Sequence, residues 1–192
     1  MAGFLWYTGR PNSGKSAALS YVVRQLQTLT ASVDTVYFFG PTTSASRFAR
    51  PQVKVANILG SLISQLACCD SVNETEKRFS SLDANNRRRL QSIFDPDLEL
   101  SPQMLWELFD RLLRCNMARR VLVIIDGLDA IQPEEDRNAF VRHLRDIWNS
   151  LSLEVSATTK FLVSSLPYDP IRQAFSHLPF IDPVTEVTGK LC

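Results

Sequence analysis

Long apolar runs are missing from this sequence: nothing in its 192 residues approaches the roughly 20 consecutive apolar positions that a spanning helix needs. A bilayer-crossing role is therefore not expected. An excess of either charge is missing as well. Lys and Arg number 21 against 20 Asp and Glu, a formal net charge of +1, so composition gives no pull toward nucleic acid or anionic lipid. A nucleic-acid role would need a local basic patch. Histidine is scarce (2) and cysteine sparse (4). Cys68, Cys69, Cys115 and Cys192 form no CxxC pair, and no His/Cys cluster has zinc-ligand spacing. Such cysteines fit packing roles in a reducing, intracellular compartment, which points to the cytoplasm. The start, Met1-Ala2-Gly3, also lacks the basic segment and cleavage site of a signal peptide.

What is present is the length and the apolar share, 45%, of one α/β domain with a real core. The whole chain, 1–192, reads as a single domain, without repeats, low-complexity tracts or an interdomain linker. Phe4-Leu5-Trp6-Tyr7 is continuously apolar, as in a strand buried on both faces. From Lys15 to about Gln27, the residues Ala18, Leu19, Val22, Val23 and Leu26 recur at helical spacing. Strand, glycine loop and helix make half a βαβ unit. A second strand is predicted at Thr35 to Phe39, and Val55, Ile58, Leu59, Leu62, Ile63 and Leu66 predict a helix running to about Ala67. Residues 70–100 carry little signal beyond a polar helix near Glu74 to Phe79. Ser101-Pro102 then has the form of an N-cap with proline in the first turn, opening a helix with Leu105, Leu108, Phe109, Leu112 and Leu113 on one stripe. Val121 to Ile125 is the most apolar run and predicts a central strand ending at Asp126. Pro133 opens a helix that buries Phe140, Val141, Leu144, Ile147 and Trp148. A strand at Lys160 to Ser164, a short helix at Pro170 to Phe175 and a last strand near Leu178 to Ile181 complete the pattern. Strands alternating with helices imply a three-layer α/β/α fold with a mostly parallel, five-stranded sheet.

Gly9-Arg10-Pro11-Asn12-Ser13-Gly14-Lys15-Ser16 fits GxxxxGK[ST] at every fixed position, followed by Ala17 in the first helical turn. Polyphosphate is a dense anion. Successive backbone N–H groups curled into a concavity can hold it without ordering side chains, and glycines allow the backbone to approach closely. The helix beginning near Lys15 adds its positive end. Lys15 would reach the terminal phosphates, and the Ser16 hydroxyl is placed to ligate Mg²⁺. Residues Gly9 to Ala17 are thus the expected nucleotide-binding segment, in a P-loop nucleoside-triphosphatase fold. Asp126, at the end of the apolar strand, is expected to hold Mg²⁺ from a neighbouring strand. Asp129, three residues on, would polarise the attacking water or assist the metal.

Taken together, "FLWYTGRPNSGKS", "VYFF", "ILGSLISQL", "VLVIIDGLDAI" and "KFLVSSLPYDPIRQAF" resemble a NACHT domain of the fungal type found in STAND signalling NTPases. The resemblance runs in order over nearly the whole chain. It implies an ATP- or GTP-binding switch, with Asp126 as the magnesium carboxylate and Asp129 as the family's second acid. It also implies an excised core of a larger receptor-like protein whose self-association follows nucleotide state. Three departures are visible. Ala130 stands where a further acid is common, Asn12 replaces a common loop glycine, and Ser164-Ser165-Leu166-Pro167 replaces a motif whose arginine senses the γ-phosphate. Leu166 cannot donate to phosphate through its side chain. Loss of one cation weakens transition-state stabilisation more than ground-state binding, so hydrolysis is expected to be slow.

Other readings compete with the switch. A metabolic P-loop kinase would carry an arginine-rich lid and a substrate patch after the second strand; the polar Thr42 to Pro51 loop imitates part of this, and the DGLD block argues against it. A catalytically silent scaffold that uses nucleotide for stability is the third. Arg87-Arg88-Arg89 reads as a solvated face rather than a nucleic-acid patch. Arg47 and Arg50 are candidates for reaching a phosphate or a neighbouring subunit, though a structural role suffices. His143 and His177 have no evident partner, and Trp6, Trp106 and Trp148 read as core.

Overall fold

The computed structural model describes residues 3–29, 33–41, 53–68, 80, 82–93, 95, 100–115, 119–178 and 180–181. The expected helix at Glu74 to Phe79, the Thr42 to Pro51 loop with Arg47 and Arg50, and both Cys69 and Cys192 lie outside these residues.

The chain opens with strand β1 (Phe4–Thr8), helix α1 (Lys15–Leu29) and strand β2 (Val33–Phe39). Helices α2 (Val55–Ala67), α3 (Ala84–Ile93) and α4 (Pro102–Cys115) follow, then strand β3 (Arg120–Asp126) and a 3₁₀ turn at Leu128–Ala130. Helices α5 (Glu134–Ser150) and α6 (Leu153–Thr158), strand β4 (Thr159–Ser165), helix α7 (Asp169–Ala174) and the short β5 (Phe180–Ile181) complete it. The apolar stripes of α2 and α4 became helices within the predicted bounds. Ser101 caps α4 as expected, its hydroxyl oxygen accepting from the Met104 N–H at 3.4 Å. Helices α3 and α6 were not foreseen. The sequence Ala84–Ile93 is strongly polar and buries only Leu90, so it carries almost no apolar periodicity to read.

The sheet is parallel, in the order β2-β3-β4-β1-β5. Four strands of five to seven residues form its body. The fifth, expected over Leu178 to Ile181, is reduced to two residues pairing with Trp6 and Tyr7. A second expectation also changes. Asp126 does not stand on a strand beside β1, because β4 lies between β1 and β3.

Alternation along the strands divides the core in two. Leu122 and Ile124 pack with Leu19 and Val23 of α1 on one face. Val121, Val123 and Ile125 face the opposite way, toward the apolar stripes of α2, α4 and α5. Trp6 and Trp106 are buried there, and Trp148 packs partly buried against the same cluster. Register brings Thr8 opposite Ser165 and Phe39 opposite Asp126, while Ile125 meets Val163. The C-terminal ends of all four long strands therefore share one edge, the edge at which open α/β sheets present their ligand crevice.

At the outer edge, β2 is closed off by a side chain. The Gln65 carboxamide accepts from the Tyr37 N–H at 3.0 Å and donates to the Tyr37 carbonyl at 2.8 Å, imitating one residue of a further strand. Unpaired edges invite association, and this pairing blunts the edge at its middle.

Candidate functional site

The glycine loop links the end of β1 to the start of α1. Three of its residues take left-handed or related dihedrals: Gly9 (φ 153), Asn12 (φ 59) and Gly14 (φ 83). A Cβ at Gly14 would meet nothing within 4 Å, so backbone conformation rather than crowding calls for glycine there. Asn12 shows why it can stand in for glycine: asparagine is among the residues that enter this region most readily. The first helical bond runs from the Ala18 N–H to the Gly14 carbonyl at 2.9 Å. The N–H groups of Lys15, Ser16 and Ala17 are thus left without a helical acceptor, as at any helix start.

Lys15 lies back across the loop. Its ammonium donates to the Gly9 carbonyl (3.0 Å), the Arg10 carbonyl (2.9 Å) and the Ser13 hydroxyl (3.3 Å). All three of its protons are used on neutral acceptors. Arg10, Pro11, Asn12, Gly14 and Ser16 are exposed, so the loop is open to solvent. At its base, Thr8 is buried with its hydroxyl unpartnered.

The acid turn sits two strands away. Asp126 is 4% exposed at the end of β3. Its Oδ1 accepts from the Ser164 hydroxyl, which in turn accepts from the Gly127 N–H at 3.0 Å. Asp129, on the 3₁₀ turn, accepts from the Leu166 N–H through Oδ1 at 3.0 Å. The next hydroxyl along β4, that of Ser165, accepts from the Trp6 indole N–H of β1 at 2.9 Å. Three consecutive residues of β4 and its exit therefore tie the acid turn to β1. In the sequence these residues stand out as the end of a strand and for the arginine they lack. Two serines closing an apolar strand were the available signal, since buried hydroxyls need partners.

Residues 1–165 match the family described as Nephrocystin 3, N-terminal. The chain belongs to the nephrocystin 3 N-terminal family. That span includes the glycine loop, the acid turn and all of β4. The family is not the NACHT family that the motifs resemble, so the resemblance is narrowed to the motifs and their order. No curated protein matches the sequence.

Other singled-out residues lie away from this edge. Arg89 of α3 pairs with Glu107 at 2.6 Å, while Arg87 and Arg88 are exposed. His143 stacks on Trp106 (5.4 Å between centroids, 15° between planes) and its Nδ1 lies 2.9 Å from the Ala139 carbonyl. His177 is exposed. Cys68 is exposed and Cys115 is partly buried. Arg137, nearly buried, places its guanidinium 5.0 Å from the centre of the Tyr168 ring, just beyond β4. No helix among the described residues is long and apolar enough to cross a membrane.

The donor chemistry of these residues is compatible with a magnesium-bound polyphosphate. Among the described residues, no cluster of three or more His, Cys, Asp or Glu could cage a metal alone. Magnesium is usually held by one or two carboxylates plus phosphate oxygens and water, and Asp126 with the Ser16 hydroxyl is that kind of partial donor set.

Proposed function

We propose that this chain is a nucleoside-triphosphate-binding switch domain, taking ATP (or GTP) with Mg²⁺ and hydrolysing it slowly, as part of a larger STAND-type signalling protein. The observation that carries the reading is the open loop itself. It offers unsatisfied helix-start N–H groups beside an ammonium spent on weak, neutral acceptors, which a phosphate would displace favourably. Under this reading Gly9 to Ala17 wrap the phosphates, Lys15 pivots onto the terminal ones, and Ser16 and Asp126 hold the metal. The ion supplies charge neutralisation at the phosphoryl group. Asp129 spends one carboxylate oxygen on Leu166; its other oxygen is the candidate for orienting water.

Slow turnover follows from the same geometry. The residue after β4's serines contributes only a backbone N–H, and Asp129 already occupies it. No cation comes from that position to meet charge developing in transfer. The expected self-association and cytoplasmic setting go with this proposal, and its test is direct. Calorimetric titration with ATP–Mg²⁺ should show saturable binding, and single-turnover hydrolysis should be far slower than the roughly 1–100 s⁻¹ of protein kinases. Binding without any hydrolysis would favour a silent scaffold; transfer to a small acceptor would favour a metabolic kinase. No binding of ATP or GTP at millimolar concentration would defeat the proposal.

A further inference from the structure

We infer that Ser164 is the positioning residue of the magnesium site, an inference that rests on the proposed nucleotide binding. Because β4 is inserted between β1 and β3, no backbone ladder joins the strand that leads into the glycine loop to the strand that ends in Asp126. Side chains at the end of β4 make that connection instead. The direction of the Ser164 bonds is fixed by chemistry. The Gly127 N–H can only donate, so it occupies a lone pair of the Ser164 oxygen, and the hydroxyl proton goes to Asp126 Oδ1. Ser164 is wholly buried, so water cannot replace it.

The consequence is a choice between the two carboxylate oxygens. Oδ1 is committed to Ser164, and Oδ2 has no protein donor among the described residues, so Oδ2 is the oxygen available to a cation or its water. The same hydroxyl holds Gly127, which follows Asp126 and leads into the turn bearing Asp129. One side chain thus sets both the rotamer of the carboxylate and the start of the acid turn. Hydrogen-bonded partners of metal ligands typically change metal affinity by about 10–100-fold when removed.

The test is the magnesium requirement of nucleotide binding, read as a thermal shift and by calorimetry at fixed ATP over a magnesium series, with EDTA as the metal-free arm. Ser164→Cys keeps the volume and replaces a good donor with a weak one; Ser164→Ala removes it; Ser164→Thr keeps the hydroxyl. We expect the magnesium midpoint to rise about tenfold or more in the Cys and Ala proteins, with metal-free binding unchanged and the Thr protein close to wild type. A wild-type midpoint in Ser164→Cys, or equal loss in the metal-free arm, would overturn the assignment. If the Ala protein does not fold, the Cys and Thr proteins decide it. Absence of nucleotide binding in the wild-type protein would instead count against the function on which the inference rests.

Discussion

Replacing Lys15 by alanine separates two contributions that one side chain makes in different states. Without ligand, the ammonium is held by the Gly9 and Arg10 carbonyls and the Ser13 hydroxyl. These acceptors lie at an open loop and can be rehydrated, so the net loss should be about 1 kcal/mol. For a domain of this size that lowers the melting temperature by about 2–4 °C. With ligand the loss is larger, because each charge-assisted bond to phosphate contributes roughly 1.5–3 kcal/mol. Two such bonds removed, at the low end, weaken binding by at least ~100-fold. Wild-type protein at ligand concentration 100 times Kd gains about 2.7 kcal/mol, a rise of about 5–10 °C. The variant at the same concentration sits near or below its own Kd and gains at most about 0.4 kcal/mol, or roughly 1 °C. Differential scanning fluorimetry with and without ATP–Mg²⁺ reads both effects on one plate. A Lys15→Ala protein that shows the full wild-type shift would refute the argument that this ammonium grips the phosphates.

Three further outcomes follow from the fold. Gly60 lies inside α2, and a Cβ there would meet nothing within 4 Å; Gly60→Ala should therefore stabilise by roughly 0.5–1 kcal/mol, seen as a higher denaturant midpoint at unchanged slope. Gln65→Ala removes the carboxamide that covers Tyr37 at the β2 edge; it should cost about 1–3 kcal/mol and raise self-association by light scattering, and a fully monomeric variant of wild-type stability would count against edge protection. Asp83 caps α3 by accepting from the Asn86 N–H at 2.9 Å, and that backbone bond, then the Asn86 side chain, holds its pKa below the ordinary 3.8. The sign follows: with the folded value depressed, the cap's stabilisation is present above 3.8 and is lost as pH falls through the lower folded value. Protection of the α3 amides, measured against the intrinsic exchange rate at each pH, should fall over that acid window, and Asp83→Asn, which keeps an acceptor but does not titrate, should abolish the change.

The legible parts of this protein are those in which one physical signal dominates. Val121 to Ile125 could only be a buried strand, and the stripes of α2 and α4 repeat cleanly every three to four residues. The glycine loop was readable because its dihedral needs fall on residue types that few other sites require. Helix α3 was hidden because it buries a single residue, Leu90, and its polar partners, Asp83 at the cap and Glu107 for Arg89, leave no periodic trace. Strand order was hidden for a different reason. Nothing in the apolar character of β4 says that it inserts between β1 and β3, since parallel strands buried on both faces look alike in sequence. The expectation that Asp126 would stand beside the loop strand failed at that step. The role of Ser164 went unseen with it, because a hydroxyl at a strand end has meaning only once its cross-strand partner is known.

Conformational cost is distributed unevenly over the molecule, and its distribution bears on where function lies. Every residue with positive φ among those described, namely Gly9, Asn12, Gly14 and Gly127, falls in the two turns at the C-terminal edge of the sheet. Asn12 carries a real steric penalty for this, since only its short polar side chain makes the left-handed region tolerable. The buried carboxylate of Asp126 and the orphaned hydroxyl of Thr8 lie at the same edge. A fold selected for stability alone would close these turns with ordinary dihedrals and place apolar residues at positions 8 and 126. Strain and buried polarity persist where surrounding structure enforces them, and here the enforcement is specific: Ser164 holds Asp126 and Gly127, and the Leu166 N–H fixes Asp129. No residue with positive φ lies at the opposite edge among those described. Unequal cost of this sort accords with the proposed site, where the binding energy of an anion and its cation would add to the bonds that hold these turns.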